Sequence, residues 1–475
     1  MDIKRLNFFL AFIIITNLLI GQVPWDNGKL VVSENGKFLQ HENGVPFFWQ
    51  GETAWLLFQR LNREQIVQYF ENRKSKGFNV IQCIFHQNFS HVNPYGDTAY
   101  SSFNITKPII TQGNDPNDSI QYDYWDHVEY AIDVAAENGI YIGMVTTWRD
   151  LHKQVKDLDA EKAEKFASYL ANHFKDKPNI IWINGGSARG QRNTEFWEAI
   201  GETIKKTDPD HLITFHPFGR MQTSEWFQNS SWLDINMFVS GHRNYEQDNT
   251  TKGYGEDNWR YVIEDLNKTP IKPTIDGEPS YENLPEGIHD HSQVYWKASD
   301  VRRYAYWSVF TGACGHVYGE NTVRQVHFQG INKGESGAKL DFWEALEAPG
   351  AYQIQYVKNL ILSRPYFERV NDQSAVAGDE GEKYDRVLVT RGNDYLMAYT
   401  YTGRDFTVQM GKISGEKVNA WWYDTRTGEA IQIGEFENSE SIKFNPPGVK
   451  YNGNDWVLVL DNAANEFSKP GFVFE

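Results

Sequence analysis

The sequence predicts an α/β fold, a (β/α)8 TIM barrel followed by a small antiparallel β-sandwich domain. Three observations carry this expectation. Eight short apolar runs recur between residues 46 and 319. Amphipathic stretches separate most of them. After Arg364-Pro365 the pattern changes to short β-type runs divided by Gly, Asn and Asp turns. Strands alternating with helices imply parallel βαβ units, and eight of them imply a closed barrel. The alternative, an open doubly wound sheet, finds no GxGxxG or P-loop string to support it.

The N-terminus sets the compartment. Lys4 and Arg5 precede an apolar run from Leu6 to Ile20 that ends near Gly21-Gln22. This pattern predicts a signal peptide over residues 1–21 and a secreted or periplasmic product. The run is too short and too interrupted to predict a membrane span, so no membrane insertion of the mature form is expected. Residues 30–40 and 44–48 suit a hairpin in front of the barrel.

The apolar runs that read as barrel strands are residues 46–51, 78–86, 139–148, 179–185, 212–216, 234–240, 273–277 and 313–319. Helical patterns fall at 62–76, where Asn62 reads as a cap, and at 124–138, 160–174, 194–206 and 258–266. Polar segments at 88–123 and 320–350 follow the second and eighth strands, on the face where barrel enzymes do chemistry. A helix over 351–362 closes the barrel domain, which is expected over residues 22–363. The sandwich is expected over 364–475, with runs at 387–391, 395–401, 406–410, 418–423, 430–433 and 456–460.

Charge and composition narrow the function classes. The net charge of −17 excludes nucleic acid and anionic membranes as natural partners, because counterion release needs a basic surface. Aromatic residues make up 15% of the chain, with 16 Trp, enough for flat apolar surfaces that stack on sugar rings as well as for a large core. A carbohydrate partner suits this composition. The two cysteines, Cys83 and Cys314, fall on the second and eighth strands, which are not neighbours, so two buried free thiols are expected.

Polar residues cluster at the ends of the strands. The segment Pro273 to Glu282 ends a short strand in Asp276-Gly277-Glu278-Pro279, followed by Tyr281. A carboxylate at the C-terminal end of a barrel strand reads as catalytic, and a glycosidase needs one as nucleophile or base. Glu278 is therefore the first candidate, with Asp276 and Tyr281 beside it. The fourth strand ends in Gly185-Gly186-Ser187, with Arg189 two residues on. Retaining barrel glycosidases often take their acid/base carboxylate from this place, and a serine hydroxyl cannot protonate a leaving group as a carboxylic acid does. Trp148 reads as a sugar platform at the end of the third strand, and Asp150 as a substitute acid or a helix cap. Glu52, His86, Gln87, His216 and His242 end other strands and suit a hydroxyl-rich ligand. His289-Asp290-His291 lacks the spacing of a zinc motif, and neither metal nor cofactor is expected.

These segments carry a resemblance. GETAWLLFQRLNREQIVQYFENRKSKGFNVIQ from Gly51, IIWINGG, TFHPFGR, DINMFVSGHR and PTIDGEPSYE resemble the apiosidase-like glycoside hydrolases of family 140. SRPYFERV and WWYDTRTGE resemble the small β-domain that follows that barrel and carries a collagen-binding label. The resemblance implies secreted barrel enzymes of plant-polysaccharide-degrading bacteria. It also implies hydrolysis of an apiose-type bond, as in the pectin rhamnogalacturonan II. Glu278 matches one catalytic carboxylate of the family. The other, the Asp of a Gly-Gly-Asp pattern, is replaced here by Ser187, and the family commonly has Asp where Glu52 stands. The leading expectation is a secreted glycoside hydrolase centred on Glu278. The alternatives are a non-catalytic carbohydrate-binding protein on a degenerate hydrolase barrel, or an adhesive protein acting through the sandwich.

Overall fold

The computed structural model describes residues 23–148 and 158–473. The leader and Asp150 lie outside the described residues. Eight strands form the barrel: β1 Trp49–Thr53, β2 Val80–Ile84, β3 Tyr141–Val145, β4 Ile180–Ala188, β5 Ile213–Pro217, β6 Asn236–Val239, β7 Thr274–Asp276 and β8 Gly315–Tyr318. Six of them form one parallel sheet in the order β8-β1-β2-β3-β4-β5, and β6 and β7 form a parallel pair. The two pieces close into a ring. At one seam Asp234 N donates to Ile213 O at 2.9 Å, and at the other Cys314 N donates to Thr274 O at 3.0 Å. The fold is the TIM barrel expected from the alternating runs.

The outer helices are capped as their sequences dictate. Helix α1 (Arg63–Ser75) opens with a reciprocal box, in which Gln65 N donates to Asn62 Oδ1 and Asn62 N donates to Gln65 Oε1, each at 2.9 Å. Helices α2 (Tyr124–Glu137) and α3 (Ala160–Phe174) start on Asp123 and Asp159, whose carboxylates accept first-turn amides. Helices α4 (Thr194–Thr207) and α5 (Trp259–Leu266) follow.

Three sequence expectations need correction. The run at 46–51 splits, because Pro46–Phe47 pairs with Leu39–His41 in a small N-terminal antiparallel sheet and the barrel strand begins at Trp49. The closing helix is two pieces, Pro349–Gln353 and α7 (Gln355–Leu362). Helix α6 (Ala298–Thr311) has no counterpart among the expected helices. It is buried from Val301 to Thr311, so it lacks the one-sided apolar stripe by which a surface helix is recognised.

The C-terminal sheets explain that burial. Strands β9 Val387–Arg391, β10 Tyr395–Thr400, β12 Lys417–Asp424, β13 Ala430–Glu437 and β15 Trp456–Asn462 form the large sheet with Val370–Asn371, in the order Val370–Asn371, β9, β10, β15, β12, β13. Strands β11 Phe406–Gln409 and β14 Ser441–Phe444 pair separately. Leu396, Ala398, Leu458 and Leu460 point into the core of the sandwich. Their neighbours Met397, Tyr399, Val457 and Val459 pack into the barrel core. The large sheet is therefore covered on both faces. Tyr306 of α6 stacks on Tyr399 at 4.7 Å between ring centres and 7° between planes. Arg302 of α6 grips Asp455 with two bonds of 2.9 and 2.5 Å, and Arg364 grips Asp461 with two of 2.8 and 2.7 Å. Cys83 and Cys314 are both buried and free.

Removing one partner of a buried ion pair leaves the other charge uncompensated, which costs about 3–5 kcal/mol. Arg302→Ala is expected to lower stability by about that amount, read as a drop in the chemical-denaturation midpoint. An unchanged midpoint would show that Asp455 gains water when Arg302 is lost.

Candidate active site

The barrel mouth opens into a cleft of about 1420 Å³. One edge is built by the end of β4. Gly185, Gly186 and Ser187 take φ of +89°, +106° and +54°, and pairing with β5 jumps from Gly185 to Ala188. Gly186 is required, because a Cβ there would sit 2.1 Å from Thr147 O. This bulge turns Ser187 toward the cleft and aims its amide at His216 Nδ1, 3.2 Å away. An Nδ1 that accepts a hydrogen bond leaves the ring proton on Nε2.

That Nε2 lies 3.3 Å from Glu278 Oε2, and His242 Nε2 lies 3.1 Å from Glu278 Oε1. Two imidazoles from β5 and from the turn after β6 thus flank one carboxylate. Glu278 is held by its backbone as well, since its carbonyl accepts from Gly241 N at 3.0 Å. Its side chain is 14% exposed, enough to reach a ligand in the cleft. Burial pushes this carboxyl up, but hydrogen bonding from His216 and His242 outweighs it and holds Glu278 well below the usual carboxylate range. The anion is the form that a nucleophile or base requires.

An aromatic floor adjoins it. Trp55 and Trp148 line the cleft with ring centres 5.1 Å apart, and Trp55 meets His216 edge-on at 5.4 Å. Tyr281 is buried against His242 at 4.7 Å and shapes the site from behind.

Among the residues expected from sequence, the structure brings Glu278, Ser187, Gln87, Trp148, Arg189 and His242 to the cleft wall. His216 and Tyr281 are fully buried and act through their neighbours. Three placements are corrected. Glu52 points outward from β1, bonded to Arg73 Nη1 and Tyr69 OH of α1, each at 2.6 Å, because its position on the strand faces the helix layer. Asp276 is fully buried below the mouth and accepts from Ser240 Oγ at 2.6 Å and Asn258 Nδ2 at 3.1 Å. Burial pushes its carboxyl up to about 6 despite those bonds. His86 is 2% exposed and packs among Phe89, Tyr100 and Tyr124 behind the wall, where burial pushes its imidazole down to about 4.

Trp55, Phe218, Arg220, Lys252 and Arg324 also line the cleft and escaped the reading from sequence, while Arg243 lines it beside His242 at the end of the sixth strand, as its place in the sequence suggests. Trp55 carried a signal, standing three residues beyond Glu52. Arg324 arrives on the polar segment after β8. His289 lines the cleft, while Asp290 accepts from Ser292 and Gln293 on an exposed turn. Among the described residues no three His, Cys, Asp or Glu side chains are grouped to hold a metal ion.

A barrel whose strand ends present a carboxylate, paired tryptophans and many polar groups has the form of a glycoside hydrolase. Comparison with known proteins agrees. Residues 33–368 match the profile described as "Apiosidase-like, catalytic domain", and residues 370–461 match one described as "Putative collagen-binding domain of a collagenase". A solved glycoside hydrolase is 47% identical with a TM-score of 0.88, covering 94% of this chain and all of that one. A family 5 glycoside hydrolase from Bacteroides vulgatus ATCC 8482 is 45% identical with a TM-score of 0.88, covering 95% and 97% of the two chains. No curated protein matched. The chain belongs to the apiosidase-like glycoside hydrolases.

The clamp on Glu278 is directly measurable. In His242→Ala, one hydrogen-bond donor is lost while burial remains, so the ionisation of Glu278 should move upward, toward or above the ordinary value of 4.5. Carboxyl 13C NMR titration of both proteins reads this shift. The sign follows by linkage: a depressed carboxylate adds stability above its unfolded pKa and loses it as pH falls through the folded one. The parent should therefore resist acid better than the variant. An unmoved titration would assign the depression elsewhere.

Proposed function

We propose that this hydrolase cleaves a glycosidic bond in an acidic, pectin-type glycan outside the cytoplasm, with Glu278 as nucleophile. The observation that carries the reading is the ionised Glu278 held between His216 and His242 beside the Trp55–Trp148 floor. In this reading a sugar ring stacks on the tryptophans. Glu278 attacks the anomeric carbon, the bond to the leaving oxygen breaks, and water later releases the sugar. The charge of the cleft supports an anionic chain. Arg189, Arg220, Arg243, Lys252, Lys268 and Arg324 outnumber the lining carboxylates Glu225, Glu264, Glu278 and Glu335, in a protein of net charge −17. The apolar leader over residues 1–21 supports export. No helix among the described residues is long and apolar enough to cross a membrane.

Ser187 shapes the rate. Its hydroxyl cannot deliver a proton to a departing sugar as a carboxylic acid does. The reading therefore favours glycosides whose leaving group departs as a weak base, with slow turnover of ordinary sugar–sugar bonds.

Two substitutions test this, with rhamnogalacturonan II oligosaccharides and activated aryl glycosides as substrates. Glu278→Gln keeps the shape and removes the charge, so turnover of both should fall to background while the folded spectrum is unchanged. Activity equal to the parent would remove Glu278 from the chemistry. Ser187→Asp should raise hydrolysis of the oligosaccharide by about 10²–10⁴-fold and of the aryl glycoside little, because only the former needs a proton. A lower rate on the oligosaccharide would show that the site is built around the serine.

A further inference from the structure

The wall of the cleft between β6 and α5 supplies Gly241, His242, Arg243 and the run from Asn249 to Lys252. Residues 241–258 form no long helix or strand of their own, so side chains must hold them. Two anchors do so. Inside the barrel, Arg220 donates to Gly255 O at 2.8 Å and Arg243 O at 2.7 Å and pairs with Asp248 at 3.1 Å. Outside, the anchor comes from the other domain. Tyr384 OH donates to Glu256 Oε1 at 2.8 Å, the same oxygen that accepts Tyr245 N at 3.2 Å. Glu256 Oε2 accepts from Arg303 of α6 at 2.5 Å, and both side chains are fully buried. The Tyr384 ring meets Tyr245 edge-on at 5.5 Å and lies 4.8 Å from the Arg303 guanidinium. Lys383 Nζ lies 5.1 Å from the centre of the Tyr245 ring.

The turn that carries Tyr384 is itself braced. Lys383–Asp385 is a single 3-10 turn. Asp385 accepts from Thr402 Oγ1 at 2.9 Å and pairs with Lys450 at 2.8 Å, and the Arg404 guanidinium donates to Asp385 O. Arg386 stacks on Trp259 of α5 at 4.1 Å. A rigid turn of the C-terminal domain thus reaches over α6 and fixes the far end of the segment that begins with His242, a partner of Glu278.

We infer that the C-terminal domain is part of the substrate-binding apparatus and that Tyr384 is a positioning residue, which orders the 241–256 wall through Glu256. This rests on the reading that the cleft binds the glycan. It gives the β-domain a role in hydrolysis distinct from the polymer adhesion suggested by its label, and it explains why the large sheet is buried against the barrel on one face.

The test compares two conservative variants of the full chain. Tyr384→Phe keeps the ring and removes the bond to Glu256. Tyr423→Phe removes another bond between the domains, from Tyr423 OH to Tyr356 O at 2.9 Å, which does not touch the wall. Amide hydrogen exchange over residues 243–255 should quicken about tenfold in Tyr384→Phe and stay unchanged in Tyr423→Phe, as expected for losing one hydrogen bond to a charged group. On rhamnogalacturonan II oligosaccharides, KM should rise about tenfold in Tyr384→Phe with kcat nearly unchanged, because the loss falls on binding. Unchanged exchange in Tyr384→Phe would overturn the inference and leave the wall to the supports of the barrel domain, Arg220 among them. Quickened exchange with an unmoved KM would overturn its link to substrate. A parent that cleaves nothing would count against the proposed function, while the exchange comparison would still decide whether Tyr384 orders the wall.

Discussion

Glu278 keeps its charge in a place that disfavours charge, and the top of the barrel is arranged around that fact. A carboxylate largely shielded from water needs partners, and it finds them in His242, hydrogen-bonded at 3.1 Å, and His216, 3.3 Å away. Each histidine then needs its own support. His216 receives the Ser187 amide on its other nitrogen, which requires the left-handed bulge at Gly185-Gly186-Ser187. The carbonyl of His242 accepts from Gly287 N at 2.7 Å and Trp296 Nε1 at 3.3 Å, and its ring rests on Tyr281. The chain of dependence runs outward from one charge through three strand ends.

A glycosidase ordinarily uses two carboxylates, and in the proposed reading Glu278 is one of them. The bulge on β4 orients His216, which flanks Glu278, through a backbone amide. A side chain at 187 is not needed for that, so the residue there can differ while the clamp on Glu278 stands.

The two domains share one hydrophobic core, and this alters what each can be. The β-sheet that follows the barrel alternates its residues between its own interior and the barrel, so neither face of its central strands is free to bind a ligand. Ion pairs seal the seam at Arg302–Asp455 and Arg364–Asp461. The ordering of the cleft wall by Tyr384 is a consequence of that seam passing beside α6. A domain that looks like an appendage in sequence is structurally a buttress.

Much of this was legible in the chain. Short continuous apolar runs located all eight barrel strands, because those strands are buried on both faces, and period-3.6 patterns located most outer helices, which have one dry face and one wet face. Caps at Asn62, Asp123 and Asp159 mark helix starts by local hydrogen bonding alone. Helix α6 escaped because domain packing dries all its sides, a property that no local pattern encodes. At the site, the sequence identified Glu278 by its strand-end position and Ser187 by the glycines before it. It ranked Glu278 first but also offered Glu52 and Asp276 to the site, since all three are acids at strand ends. Glu52 faces the helix layer and Asp276 lies below the mouth, so each is satisfied by Arg73 or by Ser240 and Asn258. The sequence by itself determined the barrel, its order of strands and the identity of the acids. Only the tertiary structure decided which acid stays charged and exposed, because that depends on histidines 62 and 36 residues away in sequence that closure of the barrel brings to within 3.3 and 3.1 Å.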